Sequence, residues 1–527
     1  YVVALVASIL LFALLWRAPL ALKSGVVVWT IIALGWSTYF LTQEHDWSDF
    51  TGAIIKHGGV SKIVLDGLRK ATDQDGDGFS AQYDHGDCND TDPNIHPMAT
   101  EILDNDVDEN CQGGPGRSGP PRRSQPPVVA AEDTAGETTE TIVRPRAEAM
   151  PYNVVFILID TLRPDHLGVY GYERDTSPNL DAFAKNSMVF EHAFAHAPNT
   201  PRSIPSIFMG TYPSRIKWVK RYANYGKLKD ENESIFELFR EKGWRTEAVS
   251  AHWYFERAKG IKSGVDRWDN KGYLSIKDSN TQSAAPLITK KLIKRLDALE
   301  DQKEPFLIFA HYFDPHGKYM NHPEVKIFGK RGLKNKYDSE IAFTDHHLKT
   351  VLDRLSTPTH LENTIVVITS DHGEAFKERG FLFHGRTVYN EEIKVPLILR
   401  VPKTPPQTIA TAVGLVDLLP TLGELVGLST PESWGESLVG LWTGKGPMPE
   451  SPVFMEQLPY PNYKAHIVAA VDRNSRMKII RDRKDNLWEI FDLKSDPGER
   501  DNLRTKDKNA GQDLKLKLEQ FIDGDPG

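Results

Sequence analysis

From Asn153 onward, short apolar runs rich in β-branched residues alternate with stretches of helical spacing, and this alternation constrains the fold more than any other feature. NVVFILID (153–160), TEAVSAHW (246–253), PFLIFAHYF (305–313), NTIVVITSD (363–371) and VPLILRVP (395–402) read as buried strands. Between them, ESIFELFREKG (233–243), APLITKKLIKRLDAL (285–299) and DSEIAFTDHHLKTVLDRL (338–355) place apolar residues at helical intervals. The pattern predicts an α/β fold, a mainly parallel sheet sandwiched by helices. In such sheets reactive groups gather beyond the carboxyl ends of strands. Here those ends carry Asp160, His252, His311 with Asp314 and His316, and the pair Asp371–His372. One carboxylate after a strand is an ordinary start to a turn; four strands ending in Asp or His form a pattern.

The residues before this region are of another kind. Residues 1–16 (YVVALVASILLFALLW) are continuously apolar and 25–42 (GVVVWTIIALGWSTYFLT) nearly so. Each is close to the roughly 20 residues of a membrane-spanning helix. The first run opens without Met, which reads as a shortened start, and two runs with no small-residue cleavage site between them fit a signal peptide badly. The connector RAPLALKS carries Arg17 and Lys23 and no acid, which favours the cytoplasmic side. The second helix then runs outward, and everything after residue 43 is expected outside the cytoplasm. A buried helical hairpin of a soluble domain is the alternative, although neither run has a polar face.

From Asp73 the text DQDGDGFSAQYD sets Asp73, Asp75 and Asp77 at alternate positions, with Gly78 next and Asp84 at the twelfth place. That is the order of hard oxygen ligands in an EF-type calcium loop. Asp87, Asn89, Asp90 and Asp92 follow, then Asp104, Asp106, Asp108 and Asn110. No Lys or Arg occurs from Ala71 to Gly116, so repulsion would keep the stretch open unless cations bind. A structural calcium module is expected; a solvated acidic linker is the competing reading. Both cysteines of the chain, Cys88 and Cys111, lie inside it. They are too few for a thiolate zinc site and are either free thiols or one disulfide, which would contribute about 3 kcal/mol. The stretch is similar to the acidic GDCNDTDP…IHP…E…DN.VD.NC repeat of extracellular bacterial proteins, with Leu103 where that repeat often has another Cys. Residues 112–150, rich in Pro, Gly, Ser and Thr without an apolar period, read as a tether.

These unlike segments average to 64 basic against 72 acidic side chains in 527 residues, a net charge of −8. That balance argues against nucleic acid as the main partner, since phosphate binding needs a basic face.

The large region resembles the alkaline phosphatase/sulfatase superfamily. The matching text is NVVFILIDTLRPDHLGVYGY (153–172), APNTPRSIPSIFMGTYPSR (197–215), HYFDPH (311–316) and TSDHGEAF (369–376). It continues through HGRTVYNEEIKVPLIL (384–399), VGLVDLLPTL (413–422) and LWEIFDLKSDPGERDNL (487–503), an ordered series over about residues 151–510. The resemblance implies a divalent cation on Asp160, Asp371 and His372, with Thr200 as fourth ligand and nucleophile. A neutral threonine hydroxyl is a poor nucleophile, and a cation on its oxygen activates it. Oxygen ligands with one imidazole leave zinc, manganese, magnesium and calcium open. His311, His316 and His384 are implied to hold the transferred group, protonate the leaving oxygen or bind a second metal. Arg202, His252 and Asp314 are implied to line the substrate.

The departures bear on substrate. Sulfatases that use formylglycine carry Cys or Ser in C/S-x-P-x-R. Ten residues before Gly210 that slot holds Thr200, followed by Pro201, Arg202 and Ser203. Ser203-Ile204-Pro205-Ser206 imitates the signature, but it lies three residues too close to Gly210 and has Ile207 where Arg belongs. Conversion to formylglycine is therefore not expected. Thr161 replaces the second Asp of the usual DD pair, and His252 and Tyr254 stand where many sulfatases have Lys and His. A sulfated threonine lacks the formylglycine exit and needs direct attack by water. A phosphothreonine can be resolved by an activated water or by an acceptor alcohol. The pocket thus favours phosphorus, while EIFDLKSDPGERDNL is most like sulfatases proper. Membrane helices before an external Thr-type domain also occur in phosphoethanolamine and phosphoglycerol transferases, which act on envelope lipids or glycans.

The expected organisation is two membrane helices (1–42), a juxtamembrane helix (43–70), the acidic module (71–111), the tether (112–150), a catalytic core (151–440) and a C-terminal subdomain (441–527). In the last, HIVAAVDR, MKIIRDR and LWEIFDL read as short antiparallel strands, followed by a helix near 511–522. The expected protein is anchored in a bacterial cell membrane, with its hydrolase or transferase domain on the periplasmic side acting on phosphate or sulfate esters of lipid or glycan. A catalytically silent subunit of a membrane assembly is the competing expectation.

Overall fold

The computed structural model describes residues 67–82, 87–96, 99, 107 and 152–525, apart from 224, 277–281, 301, 318, 330, 431–432, 461–462 and 508. The expectations for the two apolar runs and the tether, and for Asp84, Asp104, Asp106, Asp108 and Cys111, lie outside the described residues. Among the described residues no helix is long and apolar enough to cross a membrane. The chain divides into two units, 1–118 with 483–487, and 119–482 with 488–527.

The strands of the larger unit are β1 (Asn153–Ile159), β2 (Met188–Phe194), β3 (Arg245–Val249), β4 (Arg267–Asp269), β5 (Phe306–Tyr312), β6 (Thr364–Thr369), β7 (Ala375–Phe376), β8 (Leu382–Phe383), β9 (Lys394–Arg400), β10 (Gln407–Ile409) and β11 (Val413–Gly414). One sheet runs β10-β2-β9-β6-β1-β5-β3-β4, with β11 also on β2. β6, β1, β5, β3 and β4 are parallel neighbours. The run VPLILRVP, which forms β9, is antiparallel to both β6 and β2, the exception in a mainly parallel sheet. β2 lacks the continuous apolar text of the other strands. Its Glu191 is exposed, His192 is half-buried, and the pairing shifts register between Phe190 and Ala193.

Alternate residues of the central strands feed two cores, as the two-residue period of a strand requires. Val154, Phe156 and Leu158 of β1 join Leu307 and Phe309 of β5 on one face, packed with Ile204, Ile207 and Phe208 of the helix Thr200–Met209. Val155, Ile157 and Ile159 join Ile308, Ala310 and Tyr312 on the other, against the helices Ala285–Glu300 and Leu333–Leu355. Truncating a side chain as enclosed as Phe309 to Ala costs about 3–5 kcal/mol in such a core. The helices thereby cover both faces, and the strand ends converge at one edge.

β12 (Val453–Gln457), β13 (Ile467–Val471), β14 (Met477–Asp482) and β15 (Leu487–Asp492) form the expected second sheet, joined to the C-terminal helix Gln512–Asp523. β12 was not legible as a strand in the text, because Glu456 and Gln457 interrupt it; both are buried, and Glu456 accepts the Ser214 N–H at 2.8 Å.

Candidate active site

β1 and β6 are parallel neighbours in register, so the residues just past their ends, Asp160 and Asp371–His372, come together although 211 positions apart. Ligand atoms of Asp160, Asp371 and His372 all lie within 4.8 Å of one another, and all three side chains are buried. Thr200 opens the helix Thr200–Met209, directly after Asn199, and its Oγ1 is 3.1 Å from His372 Nε2. His372 Nδ1 faces its neighbour Gly373 O at 2.9 Å, which turns Nε2 inward. From the same helix, the Ser203 hydroxyl donates to the Asp371 carbonyl at 2.5 Å. The four residues implied by the resemblance are therefore assembled.

The electrostatics of this cluster fit a cation. Both carboxylate oxygens of Asp160 and Oδ2 of Asp371 are buried and have no hydrogen-bond partner among the described residues. Burial pushes the Asp160 carboxyl well above the usual range, and repulsion from Asp371 and Glu374 adds to it. Burial likewise pushes the His372 imidazole down to about 3, with His384 adding repulsion. Unspent carboxylate oxygens facing a neutral imidazole are the donor set of a divalent cation, which would remove the penalty of the buried charges.

The remaining expected residues divide into two groups. His311 on β5 places Nε2 3.4 Å from Asp160 Oδ2, and neither ring nitrogen has a hydrogen-bond partner among the described residues. Burial holds its pKa at about 4. His252 lies three residues past the end of β3; its ring stacks on Phe313 at 4.2 Å and lies 6.2 Å from those of His311 and His316. His316 stands 5.0 Å from the His384 ring, and burial pushes it down to about 3. His384 follows β8, with its ring 4.4 Å from that of His372. Burial would push His384 down, but the Glu374 carboxylate at 2.8 Å outweighs this and raises it.

Arg202 and Asp314 depart from their expected role. Arg202 turns away from Thr200: its Nη2 donates to the carbonyls of Arg221 and Ala223, and its guanidinium lies over Trp218 at 4.3 Å. Asp314 Oδ2 accepts the N–H groups of Ala284 and Ala285 at 2.8 and 2.7 Å, where the helix Ala285–Glu300 starts. A carboxylate there satisfies orphan donors of the helix end, so both residues serve the scaffold rather than substrate. Thr161, in the place of the second Asp, spends its hydroxyl on the Pro315 carbonyl at 2.6 Å and occupies a left-handed φ of 58°.

Sequence reasoning passed over Glu374, two residues beyond His372. Its buried carboxylate takes His384 Nδ1 on Oε1 at 2.8 Å and the Tyr319 hydroxyl on Oε2 at 2.6 Å. The acid that closes the D-H-G-E text is the signal in the sequence that could have found it.

In the smaller unit, Asp73, Asp75 and Asp77 also bring ligand atoms within 4.8 Å. Asp73 accepts the Gly76 and Gly78 N–H groups at 2.7 and 3.0 Å, and both glycines have left-handed φ. Asp87, only 5% exposed, contributes a further unpartnered oxygen, as do Asp75 and Asp77. Burial pushes Asp87 up to about 6, with repulsion from Asp77, Asp90 and Asp75 adding to it. Asp90 is directed elsewhere, accepting the Gln74 N–H at 3.2 Å, and Asp92 accepts its own loop's Asn94 N–H. Cys88 is disulfide-bonded, and no cysteine among the described residues is free.

Comparison with known proteins agrees with this geometry. The sulfatase family model matches residues 152–428, more than half of the chain, and the chain belongs to the sulfatase family. A model of the C-terminal part of N-sulphoglucosamine sulphohydrolase matches 378–523, and a metal-binding motif matches 87–114. The uncharacterized sulfatase YidJ of Escherichia coli is 22% identical over 67% of this chain and 82% of its own length. An ulvan-active sulfatase of Formosa agariphila is 27% identical over 60% of this chain and 62% of its own length. The structure of a phosphonate monoester hydrolase of Agrobacterium radiobacter shares the fold, with a TM-score of 0.57 at 16% identity, covering 71% of this chain and 96% of that one. The protein is thus an ester hydrolase of the sulfatase/alkaline phosphatase superfamily.

Proposed function

We propose that this chain cleaves phosphate or sulfate esters with Thr200 as nucleophile, outside the cytoplasm and anchored to a bacterial membrane. One observation carries the reading: the Thr200 hydroxyl stands 3.1 Å from His372 Nε2, beside the unspent oxygens of Asp160 and Asp371. Asp160, Asp371, His372 and Thr200 would hold a divalent cation, which supplies Lewis acidity to the hydroxyl and to the ester oxygens. Thr200 Oγ1, giving up its proton to the Asp371 carboxylate to which it is hydrogen-bonded, would then bond the phosphorus or sulfur as the bond to the leaving oxygen breaks. His384 hands a proton to that oxygen, and His311 and His316 orient the transferred group. Water, or an acceptor alcohol in a transferase, resolves the threonyl ester.

A threonyl phosphate has this exit open, so phosphate esters of envelope lipids or glycans are the favoured substrates. Sulfate esters are the second reading, favoured by the sulfatase relatives. The undiminished ligand set speaks against a silent subunit of an assembly. The apolar runs around Arg17 and Lys23 support the anchor, and a disulfide-bonded Cys88 suits an oxidising compartment. Unpartnered oxygens of Asp75, Asp77 and Asp87 support a structural calcium in the acidic module.

The test is metal analysis with a panel of aryl phosphates, phosphodiesters and sulfate esters. Metal-dependent turnover that falls at least about 10³-fold in Thr200→Ala is expected. A wild type that binds no metal and matches the variant on every ester removes the reading; turnover of sulfate esters alone removes the preference for phosphorus.

A further inference from the structure

His384 is held in a way that its place in the chain does not require. It lies between Phe383 and Gly385, both at left-handed φ (68° and 86°), and Phe383 is a bulky residue for which that conformation is costly. Something must hold the ring in place, and Glu374 does so on one side. Its carboxylate is completely buried and is an acceptor only, so the Tyr319 hydroxyl at 2.6 Å must donate to Oε2 and His384 Nδ1 at 2.8 Å must donate to Oε1. The proton on Nδ1 is thereby assigned, and Nε2 is the ring nitrogen left for a substrate. The main chain beneath is equally fixed. The Glu374 carbonyl takes Arg163 Nη1 at 2.8 Å, and Gly373 N–H donates to Glu392 O at 2.8 Å. A Cβ on Gly373 would lie 2.4 Å from Glu391 O, so the backbone approaches closely there. On the other side, the Tyr460 hydroxyl holds the Gly385 carbonyl at 3.0 Å, and Gly385 faces Asn199, the residue before the nucleophile.

We propose that Glu374 is a positioning residue: with Tyr319 behind it, it holds the Nδ1–H of His384 and so fixes the ring whose Nε2 serves the leaving oxygen, a contribution that alkyl esters need and aryl esters do not. The proposal rests on the Thr200 reading above. In the step it concerns, the bond from phosphorus or sulfur to the leaving oxygen breaks and its electron pair stays on that oxygen, while the ring, protonated at both nitrogens beforehand, gives that oxygen its Nε2 proton and keeps the Nδ1 proton on Glu374. A phenolate leaves without this help, whereas an alkoxide does not. A locked proton donor therefore matters for sugar and glycerol esters and hardly at all for aryl esters.

The experiment compares an alkyl ester (a glycerol or hexose phosphate or sulfate) with the matching p-nitrophenyl ester in the full chain. Glu374→Met keeps the volume and removes the acceptor. It is expected to lower kcat on the alkyl ester about 100-fold, with KM and metal content unchanged, and to leave the aryl ester within about threefold. Glu374→Gln retains an oxygen for the Nδ1 proton and is expected to recover most of the loss. Glu374→Met with His384→Ala should be no worse than His384→Ala alone, because the two residues act as one. If Glu374→Met is unstable because the Tyr319 hydroxyl loses its acceptor, adding Tyr319→Phe removes that orphan and must give the same selectivity. Equal losses on both esters, or additive losses in the double variant, overturn the proposal while leaving the Thr200 reading intact. Full activity of Thr200→Ala on both esters overturns the Thr200 reading instead.

Discussion

The two acidic clusters of this chain solve one electrostatic problem in opposite ways. In the smaller unit, Asp73, Asp75 and Asp77 lie within five residues, and the loop partly satisfies them with its own amides, the Gly76 and Gly78 N–H groups on Asp73 and the Phe79 N–H on Asp77. In the larger unit, Asp160 and Asp371 come from separate strands, and among the described residues no hydrogen bond reaches either oxygen of Asp160. The first cluster is a loop that shapes itself and leaves a few oxygens over. The second is held by the sheet regardless of its own cost, which is the usual sign of a site kept for chemistry. Buried carboxylates without partners cost several kcal/mol, and only a rigid scaffold maintains them.

The strongest test of this contrast is Asp160→Asn. Activity should fall by about 10²–10³-fold or more. The metal-free variant should nevertheless melt above the metal-free wild type, by about 1–3 kcal/mol, because a buried charge has been removed. Thermal melts with and without chelator check this; a destabilised metal-free variant would mean that the carboxylate is structurally satisfied after all.

A buried imidazole with both nitrogens spent supplies the structural counterpart to His311. His196 Nδ1 faces Phe454 O at 2.7 Å, and Nε2 accepts the Val416 N–H at 2.9 Å. Burial pushes its pKa down to about 4. Between an unfolded value near 6.5 and that value the unfolded chain binds the extra proton, so stability is full above about 6.5 and is lost as pH falls through this window. The expected loss by pH 4 is up to about 3 kcal/mol, read by denaturant melts at stepped pH. His196→Asn should be less stable at pH 7 and should flatten that slope.

The smallest effect belongs to the acidic loop. Asp87→Asn removes one charged ligand from a set that retains its backbone amides, so calcium affinity should fall only about tenfold. Calorimetric titration, with protection from limited proteolysis as a second readout, measures it. A loss as complete as that expected for Asp160 would erase the distinction between the two clusters.

The legibility of the two sites follows the same division. The D-x-D-x-D-G order could be read directly, because its ligands share one loop and their spacing is the geometry. Asp160, Thr200, Asp371 and His372 could be named only through the ordered resemblance, since no spacing in the text shows that β1 and β6 are neighbours. The central strands were equally legible from their unbroken apolar runs. β2 and β12 were not, because Glu191, His192 and Glu456 break their texts and find their partners or solvent only in the folded chain.

The sequence by itself determined the α/β alternation, the membrane-like and acidic segments, and the ordered series of motifs that resembles an ester hydrolase of the sulfatase family. Those depend on local propensity, period and order along the chain. Only the tertiary structure decided that Asp314 and Arg202 serve the scaffold, that Thr161 spends its hydroxyl on Pro315, and that Glu374 holds His384. Each of those assignments turns on which hydrogen-bond partner a buried polar atom meets, and partners between 10 and 154 residues away are brought in by packing, not by position along the chain.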